Sequence, residues 1–207
     1  MKRRVGVLLA GCGALDGTDP FETVFVFEAI EDLGHEAVPV VADLTQMHVV
    51  DHTSGDELMG QSRRLAQESA RLAIGKVYFL KDLAPTLLDA LVIPGGQGAV
   101  KNLLSNFGAP EPPRVPPEVG DFIRSLHAGG GAVGALSLGE FVLNALFEPD
   151  PERPGCLELE SGAVWSDPDR RLALAPGHLI PSSLADLRRG VRALVALLLQ
   201  MAEAARP

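Results

Sequence analysis

Residues 131–140 read Gly131-Ala132-Val133-Gly134-Ala135-Leu136-Ser137-Leu138-Gly139-Glu140. The apolar run Gly131 to Leu136 predicts a buried strand, and a helix is expected to start near Leu138. Ala135 and Gly139 place small residues two positions before and after Ser137. That spacing allows a sharp strand-to-helix turn, the geometry of a nucleophile elbow, which lifts its central side chain above the sheet edge. Ala135 replaces the first glycine of the Gly-x-Ser-x-Gly pattern. The alternative is that Ser137 caps the following helix.

The rest of the chain repeats this strand-then-helix order. Val5 to Ala10, Ala37 to Ala42, Ala90 to Ile93 and Arg171 to Ala175 are short apolar runs and predict strands. Asp19-Pro20-Phe21-Glu22 is a helix start, and the helix is expected to stop at Gly34. Leu58 to Ile74, Val119 to His127 and Ser182 to Ala205 predict further helices; the last carries Leu184, Leu187, Val191, Leu194 and Leu198 on one face. Strands alternating with helices mean an α/β fold with a mostly parallel sheet. Ala109 to Pro117 holds five prolines and Glu148 to Pro154 three, so both read as surface loops. With no internal repeat and no separating linker, residues 1–207 are expected to form one domain.

Composition narrows the function classes. The net charge of −9 argues against nucleic acid and against an anionic membrane surface as partners. Cys12 and Cys156 are the two cysteines, too few for a disulfide framework or a Cys-rich metal site. No apolar run approaches the roughly 18 residues of a membrane span. Met1-Lys2-Arg3-Arg4 before Val5 to Ala10 and Gly11-Cys12 has the look of a lipoprotein signal. Its apolar part is shorter than the roughly 7–15 residues of a signal core. A first buried strand explains the same pattern, so a cytoplasmic protein is expected.

Ligands of open α/β sheets bind beyond the carboxyl ends of strands. Pro94-Gly95-Gly96-Gln97-Gly98 places backbone amides there, either as an anion nest or as a flexible connection. Glu22, in the first turn of its helix, is either a capping-box residue reaching back to Asp19 or a carboxyl that moves a proton at the site. His178 follows the last strand and is either a loop histidine or a base for Ser137. His48 and His52 have metal-like i, i+4 spacing, but Val49 and Val50 argue against a helix there, and no metal is expected.

Four segments together carry a family resemblance. They are Gly11-Cys12-Gly13-Ala14-Leu15-Asp16-Gly17-Thr18, Gln46-Met47-His48-Val49-Val50-Asp51-His52-Thr53, Glu68-Ser69-Ala70-Arg71-Leu72-Ala73 and Pro94-Gly95-Gly96-Gln97-Gly98-Ala99-Val100-Lys101-Asn102-Leu103. The chain resembles the enhancing-lycopene-biosynthesis (isoprenoid biosynthesis, amidotransferase-like) branch of the ThiJ/PfpI superfamily. That resemblance implies a flavodoxin-like three-layer α/β sandwich related to class I glutamine amidotransferases, a homodimer, and no cofactor. Relatives carry a cysteine on the elbow, a glutamate from the first helix beside it, and an oxyanion-binding glycine turn. Some act on methylglyoxal or glyoxal. The matching positions are Ser137, Glu22, and Gly95 with Gly96. Leu138 joins the expected ligand-binding positions, with Cys12 and Asn102 as accessory residues.

Two departures matter. Ser137 stands where relatives have cysteine, and a serine hydroxyl does not ionise as a thiol does. The segment between Phe147 and Val164 is shorter than in relatives. The expected function is therefore a non-catalytic or altered-activity member binding a small metabolite, of the aldehyde or carboxylate class, at the elbow. The alternatives are a cofactor-free glyoxalase or deglycase using Glu22, and a serine hydrolase using Ser137 and His178.

Overall fold

The computed structural model describes residues 1–148, 152–180 and 183–205. Seven strands form one sheet: β1 (Arg4–Leu9), β2 (Glu36–Val41), β3 (Tyr78–Phe79), β4 (Ala90–Ile93), β5 (Ala132–Leu136), β6 (Trp165–Asp167) and β7 (Leu172–Ala175). The strand order is β3-β2-β1-β4-β5-β7-β6. Every pairing is parallel except β6 with β7. The helices are α1 (Pro20–Asp32), α2 (Leu65–Leu72), α3 (Gln97–Asn102), α4 (Pro117–Ala128), α5 (Glu140–Leu146) and α6 (Leu184–Ala205).

Parallel strands buried on both faces read as continuous apolar runs, and β4, β5 and β7 are buried at every residue. Alternate strand side chains feed two cores. On one face Val5, Val7, Leu9 and Val92 pack with Val26 and Ile30 of α1 and with Leu187, Val191, Leu194 and Leu198 of α6. On the other, Leu8, Leu91, Ile93 and Val133 pack with Leu103, Phe122, Ile123, Leu126, Val142 and Leu143. The result is the expected three-layer sandwich.

Some local expectations need correction. The helix expected over Leu58 to Ile74 is only Leu65–Leu72, because residues 58–64 form an exposed loop tied back by Gln46 N–H to the Arg63 carbonyl and Leu65 N–H to the Leu44 carbonyl. Strands β3 and β6 have no counterpart in the sequence reading; two or three residues at a sheet edge leave too short an apolar pattern. The expected start of the last helix at Ser182, and Pro149 and Pro151 of the proline-rich bridge, lie outside the described residues.

This topology sets the site. The sheet order reverses between β1 and β4, the position at which doubly wound sheets open a crevice. Pairing of Ile93 with Ala135 and of Leu136 with Ala175 brings the carboxyl ends of β4, β5 and β7 side by side. Gly95, Ser137 and Gly177 therefore emerge next to one another, beneath the start of α1.

Candidate functional site

Ser137 has φ = +42°, in the left-handed region that a side chain makes costly. It begins a 3₁₀ turn, Ser137–Gly139, that leads directly into α5. This is the sharp strand-to-helix turn expected from its flanking small residues. The capping reading of Ser137 fails, since neither the turn nor α5 receives a side-chain cap hydrogen bond. Ser137 is 3% exposed.

Glu22 is wholly buried at the elbow. Its Oε2 accepts the Gly95 N–H at 2.6 Å, and its Oε1 accepts the His178 N–H at 2.8 Å. The Ser137 hydroxyl also hydrogen-bonds this carboxyl. Burial pushes the Glu22 pKa upward, with the Asp19 charge adding to it, against the opposing pull of those three donors. The capping-box reading of Glu22 is corrected: its side chain points to the sheet edge, and Asp19 caps α1 instead, accepting from the Phe21 and Glu22 N–H groups.

The glycines are required by contact. A Cβ on Gly95 would overlap Ser137 Oγ, and one on Gly177 would overlap Glu22 Oε1. In the expected oxyanion turn the Gly95 N–H is held by Glu22, and the Gly95 carbonyl accepts the Asp19 N–H at 3.0 Å. Gly96, at φ = +89°, packs against the backbone of Gly17 to Asp19. Leu138 is partly buried against the core formed with α3, α4 and α5.

His178 is placed beside the elbow, and its ring is held by two neighbours. Nδ1 lies 3.0 Å from Asp19 Oδ2, and the Phe21 ring meets the imidazole edge-on at 5.7 Å. Asn102 is a structural tie: its Nδ2 donates to the Ala10 and Asp16 carbonyls, each at 2.9 Å, and its Oδ1 accepts the Met47 N–H. Cys12 is partly buried, and burial with the nearby Glu68 charge raises its thiol pKa, so it is a protonated thiol. His52 bonds the Leu15 N–H and lies 3.7 Å from Asp16 Oδ1. Among the described residues no three His, Cys, Asp or Glu side chains converge as a metal set.

Sequence reasoning missed a second polar cluster beside the elbow. Glu140 opens α5 and pairs with Arg153 at 2.8 Å, while its other oxygen accepts the Cys156 N–H. Cys156 Sγ reaches the Ala175 carbonyl at 3.3 Å, and burial with Glu140 and Glu22 nearby raises its pKa. Arg153 lies in the proline-rich bridge, which carries no periodic signal to place it.

A strand-borne elbow, a buried carboxyl from the first helix and a glycine turn lie together at the switch point of a parallel sheet, which makes this a doubly wound α/β protein with its candidate site at the carboxyl ends of the strands. No family model matches the chain. It is 37% identical over 162 residues to the human glutamine amidotransferase-like class 1 domain-containing protein 3, mitochondrial, covering 78% of this chain and 60% of that protein. It is 34% identical over 164 residues to the rat mitochondrial ES1 protein homolog, covering 79% and 61%. The chain thus spans about three fifths of the curated relatives it matches. A crystal structure of an isoprenoid biosynthesis protein with an amidotransferase-like domain from Ehrlichia chaffeensis superposes with a TM-score of 0.86 at 25% identity, over 97% of this chain and 99% of that one. A DJ-1 superfamily protein from Salmonella typhimurium shares the fold at 17% identity, with a TM-score of 0.54 over 98% of this chain and 95% of that one. The chain belongs to the glutamine amidotransferase-like class 1 family. The expectation of a cytoplasmic protein is corrected by the same comparisons, since these curated relatives, and a zebrafish one, are named as mitochondrial.

Proposed function

We propose that this chain is a superfamily member that binds a small molecule at the elbow without using Ser137 as a nucleophile. One observation carries the reading: the ionisable group that faces Ser137 is Glu22, which is buried, raised in pKa and fully engaged by backbone donors. Each oxygen of that carboxyl already accepts a backbone N–H, which weakens Glu22 as an acceptor for a serine proton. Engagement of the Gly95 N–H by Glu22 also removes a donor that an oxyanion would need. The same facts count against a glyoxalase-like reaction, which further lacks the relatives' thiol. The ligand is of the aldehyde or carboxylate class, the 207 residues act as one domain, and the working form is a homodimer.

A second reading, serine hydrolysis, is favoured by the Asp19–His178 pair, which orients one imidazole nitrogen as triads do. A thermal-shift screen with small aldehydes and carboxylates, run beside methylglyoxal and ester turnover assays, separates the readings. Stabilisation without turnover is expected. Turnover with no stabilising ligand would overturn the binding reading.

A further inference from the structure

Beside the elbow lies a cleft of about 350 Å³, between the first turn of α5 and the 153–158 segment. That is within the range of small-ligand sites, about 300–1,000 Å³. Phe141, Leu157 and Leu179 supply apolar walls, and Glu140, Arg153 and Glu158 supply charge. The Arg153 side chain is only 6% exposed. Its Nη2 donates to Glu140 Oε1 and to Asn144 Oδ1 at 2.7 Å, and the guanidinium stands 5.5 Å from the Trp165 ring centroid. Its Nε is buried and has no hydrogen-bond partner among the described residues. A buried charged donor left unmatched is unfavourable, and the described residues supply an acceptor for its neighbour but none for Nε.

The charge balance of the cleft selects the acceptor. Glu140 already neutralises Arg153. Glu158, whose carboxylate accepts the Gly155 N–H at 2.9 Å, leaves the lining with one excess negative charge. An entering carboxylate meets repulsion there, whereas a neutral oxygen does not. We infer that this cleft binds a small uncharged carbonyl compound, its oxygen accepting from the free edge of Arg153 and its apolar part lying on Phe141, Leu157 and Leu179. The inference rests on the ligand-binding reading and adds a site for a neutral carbonyl beside the elbow.

The test is NMR titration of the full chain with isobutyramide and with isobutyrate, which share a shape and differ in charge. Saturable isobutyramide shifts at residues 141, 153–158 and 179 are expected, with isobutyrate at least tenfold weaker. Arg153→Lys, which keeps the charge but loses the fork, should weaken the amide about tenfold. Leu157 is 69% exposed, so Leu157→Trp leaves the fold intact and should block binding even where Arg153→Lys does not fold. Equal or tighter isobutyrate binding, no amide binding, or amide binding indifferent to Leu157→Trp overturns the inference. Shifts confined to Gly95, Ser137 and Gly177 also overturn it, while leaving ligand binding at the elbow standing.

Discussion

The His178 N–H donates to Glu22 Oε1 at 2.8 Å, joining residues 156 positions apart. With the Gly95 N–H on Oε2, one carboxyl from α1 ties together the chain emerging from β4 and from β7. Ser137, emerging from β5 between them, adds its hydroxyl. Glu22 therefore holds the floor of the crevice closed, and its protonation state is coupled to folding.

Glu22→Gln tests that role. The two carboxyl oxygens of Glu22 accept one backbone N–H each. An amide has one acceptor oxygen, so one N–H loses its partner at a cost of about 1–3 kcal/mol. The pH dependence has a definite sign. A carboxyl raised on folding contributes stability that is fully present below its unfolded value near 4.5 and is lost as pH rises through the folded value. The stability gap between wild type and Glu22→Gln should therefore narrow as pH rises above 4.5, as measured by chemical denaturation across pH. A gap that widens with pH would contradict a raised Glu22.

Much of this arrangement was legible in the sequence, because it rests on patterns with a local cause. The buried strands announced themselves as apolar runs, and Ala135 and Gly139 marked the elbow turn. Ser137, Glu22, Gly95 and His178 were all singled out, and the fold brings them together. What stayed hidden was pairing across distance. The sequence offered Glu22 a nearby cap at Asp19, while its actual partners lie at residues 95 and 178. The His178 ring pairs with Asp19, 159 positions away, a contact that no local pattern announces. Asn102, grouped with the site, proved to be a three-way backbone tie. Arg153 sits in an irregular segment, where periodicity carries no information.

Gly95→Ala should be destabilising because its Cβ would overlap Ser137 Oγ. Overpacking of this kind costs about 1–3 kcal/mol. Removing the hydroxyl gives the methyl group room, so Gly95→Ala with Ser137→Ala should cost less than the sum of the single changes. A double-mutant cycle by thermal denaturation checks this. Strict additivity would show that the two residues are not in contact.

Asp19 serves α1 and His178 with its two oxygens. Asp19→Ala removes both functions and should cost about 1–2 kcal/mol from the cap alone. Asp19→Asn keeps a capping oxygen and should cost less. Equal losses in the two variants, measured by urea unfolding, would show that the cap contributes nothing separable from the His178 contact.

The most direct test of the central claim, that Ser137 has no effective base, is covalent labelling. Wild type and Ser137→Ala are treated with a fluorophosphonate probe and compared by intact-mass analysis. The account predicts no adduct on either protein. A single adduct on wild type that is absent from Ser137→Ala would contradict it, and would make Ser137 an activated nucleophile with His178 as the next residue to change.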